Sequence, residues 1–592
     1  MRDPKEIVYR LKQHAANLAL LLRPPPPPPG GPAGRLAGLP DPEAVARALR
    51  GSAYADEIGR LAGEILNGRY RLFGETVYLS GSPAWRRDWK TGLESGLPYY
   101  RRVDYLNPER AGDHKRVWEP ARHQHLVLLA QAALLGEAAG ATALIERQIT
   151  GFLDANPFQR GMHWASALEV AFRALSWIWI DHLAGAQLRP EARQRLRQGL
   201  YWHGCHLEHN LSIYFSRNTH LLGEAVALHA LGVLYPDWPR AERWRRTGAE
   251  ILAGEIDYQV LADGADFEQS SYYHIYALDL FLFHWLLAGR PESMRPRLEA
   301  MAVYLEALTG QDGSIPLIGD DDGGRMFHPY GERTMFAQAT LATCAAALDG
   351  LAVQFDPDML PAQAAWWLGA DALRVAPGRT ETASRLFPDA GLVVMRSDDV
   401  QVLVDAGGFG SRRGGHSHSD SLQVLIRKGA AEILIDPGTY TYVSDREKRN
   451  WFRSSMAHNT VCVDGKNQAE IDYPFGWRSR PAVDVERWAP GETEDRLTAV
   501  CRYGEVTHRR TVIFEKPARV RVIDEIDAGP GVHTAEQFWH TGGDRRRVRA
   551  AGIVWANGWR SRCFGEIEES EYGVVTVSGE GVLRLEAEIV TG

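Results

Sequence analysis

Hydrophobic periodicity changes character once along this chain, close to Ala376, and that switch limits the folds open to it. From about Pro42 to Leu373 apolar residues recur at helical spacing, as in residues 125–135 (His-Leu-Val-Leu-Leu-Ala-Gln-Ala-Ala-Leu-Leu) and 165–177 (Ala-Ser-Ala-Leu-Glu-Val-Ala-Phe-Arg-Ala-Leu-Ser-Trp). Breaks at Asn156-Pro157, Tyr235-Pro236, Gly289-Arg290-Pro291 and Asp312-Gly313 cut the region into helices of ordinary length, which predicts stacked helical hairpins. No repeat of fixed period is visible. Beyond Ala376 the apolar runs are short and β-branched: residues 391–396, 400–404, 423–426, 460–463, 510–514 and 520–523. Their close spacing predicts antiparallel sheets packed as a sandwich, not βαβ units. The expected fold class is multidomain, α then β, with an N-terminal segment at 1–41, a helical domain at 42–375 and a β-sandwich at 376–592.

Length supports the division, because 592 residues exceed what one hydrophobic core usually holds. With 67 Lys+Arg against 75 Asp+Glu the formal charge is −8, so the chain lacks the basic field that non-specific nucleic-acid binding needs, and an anionic ligand must be held locally. Five scattered cysteines offer neither a disulfide framework nor a Cys-x-x-Cys metal knuckle. The apolar stretch at 15–22 is too short to span a bilayer and no cleavage site follows it, so neither a membrane span nor a signal peptide is expected; a cytoplasmic location is favoured over a periplasmic or secreted one. The proline run at 24–29, continued by Gly30-Gly31-Pro32, reads as a stiff spacer, with a polyproline ligand for a partner as the alternative.

Four segments mix residue types that carry chemistry. In residues 414–422 (Gly-Gly-His-Ser-His-Ser-Asp-Ser-Leu) His416 and His418 stand two apart and could share a strand face; Asp436 and His458 follow at strand ends. Imidazoles and a carboxylate suit Zn²⁺, while unconnected histidines in turns, or the His-x-His pair of a metal-dependent hydrolase, are alternatives. Residues 215–224 read as a helix start with Asn218 or Thr219 as cap and Glu224 one turn beyond His220. Residues 266–276 place Tyr273 and His274 at another helix entrance, where tyrosines can equally be core. Residues 112–125 bring Trp118, Glu119, Arg122 and His123 together, and Arg173 follows Glu169 by one turn; an aromatic face with a guanidinium suits an acidic sugar, and buried salt bridges between helices are the other reading. The acidic turn at 319–325 lacks the calcium-loop pattern and is expected to be a solvated loop.

These segments, together with residues 387–391 (Phe-Pro-Asp-Ala-Gly) and 457–461 (Ala-His-Asn-Thr-Val), occur in the order used by the heparinase II/III-like polysaccharide lyases, which the chain resembles from about Gly112 to His540. The resemblance implies an (α/α) toroid followed by an antiparallel β-sandwich with the active site between them. It implies β-elimination on a uronic-acid-containing anionic polysaccharide, of glycosaminoglycan or alginate type, leaving a 4,5-unsaturated uronate. By position it assigns Asn218 and His220 to neutralising the uronate carboxylate and makes Tyr273 and His416 catalytic, Tyr273 as acid on the leaving oxygen and His416 as base, with the reversed roles as the alternative and Tyr440 or Tyr442 as a second tyrosine. Trp118, Glu119, Arg122, His123, Arg173, Glu224 and His274 fall to substrate binding, Glu224 as the partner orienting His220. His418, Asp436 and His458 match a metal triad, usually zinc, that shapes the cleft, and no organic cofactor is implied. One departure is the triplet Asn218-Thr219-His220, where many relatives read Asn-His. A protein that binds acidic glycans in surface-polysaccharide assembly without cutting them is the alternative function.

Overall fold

The structure, a computed structural model, describes residues 4–30, 35–79, 81–326, 336–357, 361–378 and 383–592. Three helices form the centre of the N-terminal half: Ala167–Ala184, Thr219–Leu234 and Ser271–Leu287. Each is apolar around almost its whole circumference because other helices cover every side. Ala167–Ala184 packs on Gln124–Leu135, Pro190–Asn210 and Thr219–Leu234, and the last packs in turn on Ala241–Gln259 and Ser271–Leu287. These neighbours build a toroid of helical hairpins, and the helices end where Pro or Gly was expected to stop them, at Ala155, Leu234 and Leu287. Among the described residues no helix is long and apolar enough to cross a membrane.

The C-terminal half is antiparallel throughout its named strand pairs. Its largest sheet has six strands, in the order Ala482–Ala489, Glu494–Tyr503, Val506–Glu515, Arg519–Asp527, Leu583–Val590 and Val548–Arg549. A five-stranded sheet from Arg385–Phe387 to Ala431–Leu434 and a four-stranded sheet centred on Val532–His540 and Glu568–Glu580 face it. Burial alternates along Arg519–Asp527, as expected of a strand with one face on a core. The core joins the sheets through Val402, Val424, Val461, Val512, Phe514 and Trp539.

Two elements depart from the simple α-then-β reading and both serve the interface. A β-hairpin, Arg69–Leu72 with Glu75–Tyr78, interrupts the helical half; its two-residue turn, Phe73-Gly74, has positive φ at both positions. A short helix, Arg446–Phe452, sits within the β half. The start of the proline run is tied to the helix Pro190–Asn210, where Trp202 donates to Pro25 O at 3.0 Å, while Pro26, Pro27 and Pro29 are exposed. Gly31 and Pro32 lie outside the described residues. Between the halves, Tyr304, Leu308 and Ile318 pack on Phe387, Leu392 and Leu403.

Candidate active site

A cavity of about 520 Å³ opens between the two halves. The helical half contributes Asn218 and His220 from the start of Thr219–Leu234 and Tyr273 from the first turn of Ser271–Leu287; the sandwich contributes His416 and Tyr442. Asn218 is the helix cap, accepting from His220 N at 3.2 Å, and it also lines the cavity, so capping does not remove it from reach of a ligand. Its amide donates to Glu268 Oε2 at 2.6 Å, while Glu268 Oε1 accepts from Thr219 N and Oγ1 at 3.0 and 2.6 Å. Burial pushes His220 down to about 4, leaving it a neutral donor.

Tyr273 and His416 stack with ring centroids 3.8 Å apart. The Tyr273 hydroxyl lies 3.1 Å from that of Tyr442 and 3.3 Å from Asp322 Oδ2. Burial and the Asp322 charge hold Tyr273 well above the usual phenol range, so it keeps its proton. Burial works against the imidazolium of His416, but the Asp320 hydrogen bond and the charge of Glu268 outweigh it and raise its pKa. His416 Nδ1 is 3.1 Å from Asp320 Oδ2, and Nε2 points to the cavity, 3.5 Å from Glu268.

The acidic turn expected to be solvated is instead the joint between the halves. Asp320 is 0% exposed and Asp322 7%. Asp320 bonds His416, His418 Nε2 at 3.0 Å and the Arg449 guanidinium. Burial disfavours its charge, yet Arg449 and the two histidines hold it well below the ordinary carboxylate range. Asp322 accepts from Lys115 Nζ at 3.0 Å as well as from the tyrosines. Gly319, at φ +68°, makes this approach possible: a Cβ there would fall 2.7 Å from His416 O. Gly410 does the same on the other flank, where a Cβ would meet Glu268 O at 2.4 Å.

His416 and His418 do not share a strand face. Residues 411–421 are turns and coil, and the two rings part, His416 to the cavity and His418 to a buried cluster with Asp436 and His458. One ligand atom of each lies within 4.8 Å of the others, and His418 Nδ1 and His458 Nε2 are buried without a hydrogen-bond partner among the described residues, as expected of atoms that would hold a cation. His418 would then donate its other nitrogen to Asp320, the usual second support of a metal-bound imidazole.

Of the residues assigned to substrate binding, Trp118 and Arg122 line the cavity. Five others stand behind its wall. Glu119 pairs with Lys115 and Arg122; His123 is buried and accepts from Trp177 Nε1 at 2.8 Å. Arg173 donates to His203 and to His163 O, and burial depresses it to about 9. His274 spans Asp266 N and Met301 O, 3.2 and 2.9 Å away. Glu224 accepts from Ser212 N and Oγ, both at 2.6 Å, and so does not orient His220. Arg122 itself forks onto Glu169 at 2.7 and 2.8 Å, so the buried-salt-bridge reading of that segment also holds. Tyr440 does not line the cavity. Sequence reasoning missed Asp320, Asp322, Lys115 and Arg449; three carboxylates in a row flanked by glycines were the available signal.

Residues 379–590 match the family model described as "Heparinase II/III-like, C-terminal", and residues 147–304 the one described as "Heparinase II/III N-terminus". Curated heparin-sulfate lyases of Bacteroides stercoris and Pedobacter heparinus are 25% and 26% identical over 340 residues, covering 54% of this chain in both cases and 45% and 46% of those proteins. The chain thus spans about half the length of the curated relatives it matches. Among solved structures, one of heparinase III has a TM-score of 0.65 at 17% identity, covering 98% of this chain and 89% of that one. A heparan sulfate lyase of Pedobacter heparinus has 0.55 at 18%, covering 93% and 87%. At these identities the structural likeness establishes the fold, an (α/α) toroid followed by a β-sandwich.

Proposed function

The chain belongs to the heparinase II/III-like family, and from that premise we propose that it is a lyase that cuts a uronate-containing glycosaminoglycan, of heparan type first, by β-elimination. The observation that carries this reading is the convergence of Asn218, His220 and Tyr273 from one half with His416 and Tyr442 from the other in a single cavity. Removing the proton at carbon 5 of a uronate is hard because the neighbouring carboxylate repels the developing charge. Asn218 retains an amide hydrogen and His220 is a neutral donor, so both can hold that carboxylate in advance of the reaction. His416, with Nδ1 occupied by Asp320, presents Nε2 as the base that takes the proton. The electron pair left at carbon 5 forms the double bond to carbon 4, the bond from carbon 4 to its glycosidic oxygen breaks, and Tyr273 donates its proton to that oxygen. Tyr442 and Asp322 hold the phenol in place.

A divalent metal, zinc by the chemistry of two imidazoles and a carboxylate, would sit on His418, Asp436 and His458 and supply a fixed centre for the loops that bear them. These three do not line the cavity, which supports a structural role over metal-dependent hydrolysis. The test is incubation of the purified protein with heparan sulfate, heparin, chondroitin, hyaluronan and alginate while following the ultraviolet absorbance of unsaturated uronate. The reading expects absorbance with a heparan-type substrate and its loss in Tyr273→Phe; silence across the whole panel would overturn it.

A further inference from the structure

The cavity has one closed and one open end, and we infer that it accepts the terminus of an acidic glycan, so that cutting proceeds from a chain end and short oligosaccharides are good substrates. This rests on the lyase reading above. At the closed end the hairpin of residues 69–78 crosses from the helical half to the sandwich. Phe73 at its turn lies 6.1 Å from Trp89 and 5.2 Å from Phe564, and Phe564 lies 5.0 Å from Tyr442. Phe73, Phe564, Tyr442 and Val443 form one buried apolar cluster. Lys115, Asp322 and Tyr442 stand directly before it and line the cavity, the Lys115 ammonium 5.5 Å from the Phe73 ring. Behind them the space left between hairpin and sandwich is about 10 Å³. That is the room of roughly one water, ~10–15 Å³, so among the described residues no passage for a sugar leads out on this side.

The other end differs in every respect. Phe215 is 63% and Tyr473 41% exposed, and Arg412 and Arg413 are exposed beside them. Two guanidinium groups and two aromatic faces at an entrance suit the carboxylates and rings of the glycan still outside. A polymer held by its middle must leave a cleft at both ends. Among the described residues the exposed lining is Leu106, Phe215, Arg412, Arg413 and Tyr473, none of it beside the hairpin, and a volume of about 520 Å³ suits a few sugar units, within the ~300–1,000 Å³ of small-ligand pockets.

The experiment follows product length and residual polymer length together, by size exclusion with ultraviolet detection, on full-length protein given long heparan sulfate or hexasaccharides prepared from it. The inference expects one small product size from the first time point, polymer length falling only in proportion to product released, and a rate per unit mass that rises at least ~10-fold from polymer to hexasaccharide. An early ladder of mixed sizes with collapse of polymer length would overturn it while leaving the lyase reading intact. If nothing is cut, the lyase reading fails, and titration with the same hexasaccharide, free or carrying bulky groups at both ends, still decides the pocket. Blocking should then weaken binding at least ~10-fold, and equal affinity would refute a terminus-binding pocket.

Discussion

Tyr273 and His416 touch face to face, yet their surroundings suit them to opposite proton transfers. Tyr273 is buried against the Asp322 carboxylate and keeps its proton; His416 gives one nitrogen to Asp320 and keeps the other for the cleft. Tyr273→Phe and His416→Ala should each lower kcat by ~10²–10⁴, the usual worth of a positioned acid or base, and Tyr273→Phe should do so with the melting temperature nearly unchanged. Turnover within a few-fold of the parent would remove them from the reaction. Glu224 gives a different prediction. Buried at the second turn of Thr219–Leu234, it is pushed up to about 8, above its usual value near 4.5. The neutral carboxyl is thus favoured in the folded state, and its stabilisation, complete below the unfolded pKa, is lost as pH rises toward about 8. Glu224→Gln, which can keep both Ser212 bonds, should flatten the fall in melting temperature between about pH 5 and about pH 8. An identical slope in the variant would contradict this assignment.

At the scale of elements, the strands of the sandwich hold the chemistry-bearing loops through one buried network. Arg510 forks onto Asp524 of the adjacent strand at 2.7 Å and donates to Leu422 O and Asn459 O, the carbonyls that follow the His418 turn and His458. Gln537 of the facing sheet also donates to Asp524. Burial alone would raise Asp524, but Arg510 and His508 outweigh it and hold the carboxyl well below the usual range. Its contribution is therefore present above the unfolded pKa near ~3.9 and lost as pH falls below it. Asp524→Asn leaves Arg510 buried without its counter-charge and should cost about 3–5 kcal/mol in denaturant unfolding at neutral pH. A cost under about 1 kcal/mol would show that the network does not anchor the sheets. The His418–Asp436–His458 cluster hangs from the same loops. Chelation, or His458→Ala, should lower the melting temperature and only secondarily the activity, whereas Tyr273→Phe should retain bound metal by elemental analysis. Absence of stoichiometric metal from protein refolded with zinc would dismiss the site.

For the whole molecule, the change of periodicity near Ala376 made both halves legible, because helices and sheets advertise their buried faces at different spacings. The candidate site was legible where side chains serve their own element, as Asn218 does by capping a helix that also faces the cleft. It was illegible where a residue acts across the joint. Asp320 lies 96 residues from His416 in sequence, and its run of carboxylates between glycines does not reveal which distant partners it will meet. The hairpin around Phe73 was hidden for the same reason: its partner, Phe564, belongs to the other half. Glu224 and Arg173 erred in the opposite direction, since polar groups near a site can be satisfied by the scaffold behind it. The central claim is that the two halves meet to eliminate across a uronate, and mass spectrometry of the new chain ends tests it most directly. Elimination predicts a new terminal uronate lighter by one water than the hydrolytic fragment, with no oxygen incorporated from labelled solvent. Ends carrying solvent oxygen at the full hydrolytic mass would contradict the account.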